Sequence, residues 1–197
     1  SIADYVSLGS NLLAGKASPV TIELWATQNS VQNYGRIFDF GDSTSRYLFL
    51  SPKSGSGTLR FAFNNGKGEQ FAETSALAIG TWVHVAVTLN GDTSKLYVNG
   101  SPVATKVAAI NPTGFDFKPA TNYIGESQFA SDPLFNGRVD DFRIYNYALT
   151  ASQVNDVKNG GSPGDDTEHE LVFDASSTPA LATGAWVSLD LPLASFT

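Results

Sequence analysis

"WVHVAVTLNGDTSKLYVNGSPVATK", residues 82–106, is the stretch on which the reading of this chain turns. Val83, Val85, Val87 and Leu89 alternate with Trp82, His84, Ala86 and Thr88. Successive strand side chains point to opposite faces, so the first four share one face. Leu96 and Val98 continue that apolar face beyond Asn90-Gly91, and Asn99-Gly100 opens the next connection. Both Asn-Gly pairs suit the positive φ angles of tight turns. The stretch predicts a hairpin that buries one face and has no evident reaction chemistry of its own.

The same alternation recurs every ten to fifteen residues, broken by Gly, Asn, Asp, Ser and Pro, which is the sequence form of an antiparallel sandwich. Strands are predicted near residues 5–8, 20–26, 36–40, 47–51, 59–64, 70–73, 82–89, 95–98, 121–126 and 139–145. One short helix is expected after Tyr147. Thr150 and Gln153 have capping-box spacing, Leu149 and Val154 can staple its start, and Gly160 stands where a C-terminal cap belongs. The fold class expected is therefore all-β, an antiparallel β-sandwich closed by one short C-terminal helix.

Residues 1–161 read as one domain, and 162–170, rich in Gly, Pro and acids, as a linker. Residues 171–197 alternate again near 171–173 and 186–191, too few strands for a core of their own. They are expected to be a partial second β module or strands added to the first. A length of 197 residues with 42% hydrophobic composition supports one substantial core. Cysteine and methionine are absent, which excludes disulfides and thiol chemistry. The net charge of −7 is concentrated in the tail, where Asp165, Asp166, Glu168, Glu170, Asp174 and Asp190 have no Lys or Arg beside them. With no basic stripe, neither nucleic acid nor an anionic membrane is an expected partner. No apolar run approaches the ~18 residues that would span a bilayer.

Three segments resemble the laminin-G-like, concanavalin A-like jelly-roll domains of secreted bacterial multimodular proteins. "VTIELWAT" at 20–27 is similar to the family's Glu-x-Trp strand, and "GTWVHVAVTLNGDTSKLYVNG" at 80–100 to its Trp-x-His-Val-Ala hairpin. "NYIGESQFASDPLFNGRVDDFRIYNYALTASQV" at 122–154 is similar to its closing strand and following turn. In the tail, "TGAWVSLDLPLASFT" resembles a segment of other sandwich modules in secreted carbohydrate-active proteins. The resemblance implies a carbohydrate-binding or adhesion module, secreted or on a bacterial cell surface, working beside neighbouring domains of its own chain. It also implies a structural calcium ion where the first and last strands meet, bringing Asp4 near Asp140 and Asp141. Asp39 and Asp42, in an acidic turn, are a second oxygen-rich candidate.

Signs of catalysis are sparse. No Glu-x-Asp-x-x-Glu run is present, and strict alternation puts Asp140 and Asp141 on opposite faces, where they cannot flank one bond. His84 and His169 are the only histidines, too few for a histidine metal triad, and no Gly-x-Ser-x-Gly elbow accompanies them. His84 with Tyr97 or Tyr145 is the one pairing that a lyase or hydrolase reading would use.

Binding chemistry is better represented. Sugar C–H faces stack on rings while hydroxyls bond to planar polar groups, and the chain holds 3 Trp, 7 Tyr and 13 Phe. Leu59, Phe61, Phe63, Phe142 and Ile144 fall on core-facing positions, with Trp25 and Trp82 in the core or at its edge. Tyr34, Arg36, Tyr47, Arg60, Asn64, His84, Phe129, Asp132, Phe135, Arg143 and Tyr145 lie in loops or on polar strand faces and are the expected ligand-binding set. A non-catalytic module that binds a polysaccharide or other glycan is the preferred expectation. A protein–protein or architectural domain is the alternative.

Overall fold

The computed structural model describes residues 5–10, 12–13, 19–107, 120–161, 163 and 187–189. Two six-stranded antiparallel sheets face each other. The first runs in the order β1 (Val6–Ser7), β10 (Thr121–Ile124), β3 (Phe38–Ser43), β4 (Arg46–Ser51), β5 (Thr58–Asn65), β6 (Glu69–Ser75). The second runs β12 (Val187–Leu189), β11 (Gly137–Tyr145), β2 (Val20–Gln28), β7 (Val83–Asn90), β8 (Thr93–Val98), β9 (Ser101–Val107).

The core follows directly from the alternation. Phe38, Phe40, Leu48, Leu50, Leu59, Phe61 and Phe63 project from the first sheet. They meet Ile22, Leu24, Val85, Val87, Leu89, Leu96 and Phe142 from the second. Helix α1 (Ala151–Lys158) begins at Thr150 with the reciprocal capping box and lays Val154 and Val157 against Ala86, Tyr97, Tyr145 and Leu149. This cluster covers the outer face of the second sheet around Ala86, Tyr97 and Tyr145.

That covering alters the expectation for the 82–106 hairpin. From Val83 to Leu89 every residue of β7 is buried, so this strand is enclosed on both faces rather than one. Trp82, expected in or beside the core, is 40% exposed just before the strand. Beyond β8, Asn99 and Gly100 both have positive φ (51° and 80°) and form a two-residue turn into β9. No strand is expected there from sequence. Its side chains are mostly exposed and Pro102 interrupts it, both properties of an edge strand that carries no apolar periodicity.

Strand β11 departs from strict alternation. A bulge between Asp140 and Arg143, with Asp141 at φ 50°, inserts an extra residue. Val139 and Phe142 therefore both reach the core while Asp140 and Asp141 are both exposed, in place of one on each face. At the edge of β11, Val187–Leu189 pairs antiparallel with Phe142–Ile144. The strand expected near 171–173 lies outside the described residues.

Candidate functional site

On the outer face of the first sheet a recess of about 320 Å³ is lined by Tyr34, Arg36, Phe49, Ser54, Arg60, Glu69, Phe129 and Asp132. Its floor follows from register. Phe49 stands beside Ala62, and Ala62 beside Phe71, on one row across β4, β5 and β6. The next row aligns Tyr47, Asn64 and Glu69, and on the other side Ser51, Arg60 and Glu73. The small Ala62 leaves room above the sheet. The β10–β11 connection fills part of it with Phe129, which packs edge-on to Tyr47 at 5.6 Å between ring centres.

Arg36 is the anchor. It is 3% exposed, its guanidinium lies 3.8 Å over the ring of Phe49, and Nη1 donates to the Tyr34 carbonyl at 2.8 Å. Nη2 pairs with Asp132 at 3.0 Å and Nε with Asp39 at 3.5 Å. A buried guanidinium is tolerable because its positive charge has two carboxylates and an aromatic face. Arg60 repeats the pattern on the opposite wall: it lies 3.9 Å over Phe71 and pairs with Glu69 and Glu73, both at 2.9 Å.

Tyr34 supplies the rim. It is 45% exposed at φ 66°, and its ring leans over Gly55, where a Cβ would collide with the phenol. Asp39, one strand in from the recess, is fully buried. It accepts from the Gln128 amide at 3.1 Å and the Ser127 hydroxyl at 3.5 Å. Burial pushes its carboxyl up to about 7, against the pull of Gln128 and Arg36. Tyr47 is buried beneath Phe129 and donates to Glu69 at 2.8 Å, and burial raises its phenol to about 12. Burial opposes ionisation of Glu73, but Thr58 and Arg60 hold it below the usual carboxylate range.

Of the sequence-derived binding set, Tyr34, Arg36, Arg60, Phe129 and Asp132 converge here, with Tyr47 directly behind. Asn64 is at the end of β5, where its side chain accepts from the Gly66 and Gly68 amides and shapes the adjoining turn. Phe135 packs against the central core. Phe49, Glu69 and Glu73 were not among the expected residues. "YLFL" at 47–50 shows their signal only in part, since Phe49 shares parity with Tyr47 while both neighbours are apolar.

His84, Arg143 and Tyr145 lie on the second sheet around a residue the sequence did not single out. Glu23 is buried, and its carboxylate accepts from His84 Nε2 at 2.7 Å, Arg143 Nη1 at 3.0 Å and Tyr145 Oη at 2.9 Å. Burial and Glu23 together push the Tyr145 phenol far above its ordinary value. Burial opposes the charge on Arg143, and Glu23 restores it and raises the guanidinium further. Trp25 meets the His84 imidazole edge-on at 5.5 Å. This network ties β2, β7 and β11 together, with Glu23 and His84 from two of the segments that carry the resemblance and Arg143 and Tyr145 from the third.

Of the expected metal ligands, Asp4 lies outside the described residues. Asp140 accepts from the Asp141 amide at 2.9 Å, and Asp141 pairs with Arg143 at 3.2 Å. Asp42 pairs with Arg46 at 3.2 Å. Among the described residues no three His, Cys, Asp or Glu side chains gather as a metal site would require.

Two facing antiparallel sheets and a recess on an outer face define a lectin-like jelly-roll sandwich. A family model described as the concanavalin A-like lectin/glucanases superfamily matches residues 1–155, and the chain belongs to that family. Mouse (Mus musculus) pappalysin-1 is 33% identical over 86 residues, and rat (Rattus norvegicus) usherin 31% over 85. Each match covers 42% of this chain but only 5% and 2% of those proteins. Among solved structures, domain 4 of AbnA, an extracellular GH43 arabinanase from Geobacillus stearothermophilus in complex with arabinotriose, aligns with a TM-score of 0.66. Identity is 22%, over 78% of this chain and 72% of that one. A botulinum neurotoxin type C structure, from a toxin whose cell entry depends on interaction with two ganglioside molecules, aligns at 0.60. Identity there is 20%, over 81% of this chain and 39% of the toxin chain.

Proposed function

We propose that this chain is a non-catalytic glycan-binding module and that the outer-face recess of the first sheet is its contact site. One observation carries the reading: two accessible rings, Tyr34 and Phe129, stand beside two arginine–carboxylate pairs at a recess large enough for a sugar unit. A ring can stack on the C–H face of a sugar, and the flanking carboxylates can accept its hydroxyls. The carboxylates that line the recess are engaged with arginines, as groups that shape a surface are. The arabinotriose-bound arabinanase domain and the ganglioside-dependent toxin support a binding role for the same architecture. By the same reasoning the setting is extracellular, next to a catalytic or adhesive neighbour whose local concentration raises a weak single-site affinity.

Affinity electrophoresis through gels containing arabinan, xylan, galactan or β-glucan tests this. At least one polymer should retard the chain, and Phe129→Ala should weaken that retention about fivefold, the loss of one aromatic contact of about 1 kcal/mol. Equal retention of the variant would remove the recess from consideration.

A further inference from the structure

We propose that the recess excludes anionic glycans and selects sugars that offer hydroxyl donors, an inference that rests on the binding role above. The charge inventory around it is lopsided. Arg36 and Arg60 are each shared between two carboxylates, Asp39 and Asp132 for the first, Glu69 and Glu73 for the second.

Their terminal nitrogens are each engaged as well, while Arg36 Nε is buried and faces Asp39 without a hydrogen bond. Arg36 directs Nη1 to the Tyr34 carbonyl, Nη2 to Asp132 and Nε toward Asp39. Arg60 directs Nε to Glu73 at 3.0 Å, Nη1 to Glu69 at 2.9 Å and Nη2 to Glu73 and the Ser56 hydroxyl. Each guanidinium also lies over a ring, 3.8 Å from the centre of Phe49 and 3.9 Å from that of Phe71, so one side of each is closed.

Even with Asp39 protonated, three carboxylates outnumber two guanidiniums. A uronate, sialate or sulfate would meet only these paired guanidiniums among the residues that line the recess, and like charges brought together at a binding surface discriminate strongly. A neutral sugar meets the opposite circumstance. Carboxylates are acceptors only, with room for more than the bonds Asp132 and Glu69 already accept, and a sugar hydroxyl is a donor. The arginines thus act as struts that hold the carboxylates in place, and the carboxylates determine specificity.

The test compares two arms at 0.15 M salt: neutral polymers (arabinan, xylan, galactan, β-glucan) and acidic probes (polygalacturonate, heparin, sialyllactose). Wild-type chain should bind at least one neutral polymer and hold every acidic probe about tenfold more weakly. Glu69→Gln with Asp132→Asn should raise binding of the acidic probes about tenfold. Glu73→Gln alone, at a position outside the lining, should raise it in the same direction if the double variant does not fold. Acidic probes bound as tightly as neutral ones, with loss in Phe129→Ala, would overturn the charge exclusion and leave the recess as a glycan site. Binding of neither arm would overturn both readings.

Discussion

The phenol of Tyr34 occupies the space above Gly55 that a methyl group would need, so the rim of the recess depends on the absence of a side chain in the β4–β5 connection. Gly55 has no positive φ to preserve and is exposed, while Tyr34 ends in a movable ring. Gly55→Ala should therefore leave stability within about 0.5 kcal/mol of the parent. It should swing Tyr34 aside and weaken glycan binding about fivefold by calorimetric titration. Unchanged affinity would show that Tyr34 makes no contact.

Asp39 makes stability depend on pH. Its folded-state carboxyl is raised from 3.8 to about 7 by burial, so the folded protein binds the proton more tightly than the unfolded chain. The associated stability is complete below pH 4 and is lost as pH rises through about 7. Relative to Asp39→Asn, which cannot ionise, the parent should lose stability between about pH 4 and pH 7, by a total on the order of 4 kcal/mol for a shift of that size, and no more above it. Parallel melting curves across this range would contradict the assignment.

Glu23 predicts an effect on stability alone. Removing the carboxylate strands a buried imidazole nitrogen, a buried phenol and a partly buried guanidinium. Glu23→Ala should cost about 3–5 kcal/mol and lower the melting temperature by about 10 °C. Where the variant remains folded its glycan affinity should match the parent, because the network lies on the other sheet. A selective loss of binding would place the site there instead.

Gly137 tests the packing of the second sheet. A Cβ at this position would run into the Thr27 carbonyl and the ring of Phe135. The backbone oxygen cannot step aside, so Gly137→Ala should destabilise by about 1–3 kcal/mol in chemical denaturation. A neutral result would mean that β11 can shift freely against β2.

The sandwich was legible because a period of two reports burial so directly. Nine of the ten predicted strand regions carry buried residues of the joint core, such as Phe38, Phe61, Val85 and Phe142, and the tenth, 5–8, packs Val6 and Leu8 against it. What escaped was what the pattern cannot express. Strand β9 has no buried face, and the bulge at Asp141 breaks parity by one residue. The burial of the outer face of β7 depends at Ala86 on a helix more than fifty residues away in sequence and at His84 on Glu23 and Trp25 of β2. The site divided in the same way. Exposed-type rings and arginines were visible singly, but the pairing of Arg60 with Glu69 and Glu73 required the β5–β6 register. His84, Arg143 and Tyr145 belong to segments that mark the family, and their polar character reflects a shared bond to Glu23 within the scaffold.

On the proposed reading, ligand meets the outer face of the first sheet. The most direct measurement is a titration of ¹⁵N-labelled chain with the neutral oligosaccharide whose polymer retards it, followed by amide chemical shifts. Shifts confined to the neighbourhood of Tyr34, Arg36, Arg60, Glu69 and Phe129 are predicted, with Glu23, His84 and Arg143 unmoved. Shifts centred on Glu23 and His84, with Tyr34 and Phe129 silent, would contradict it.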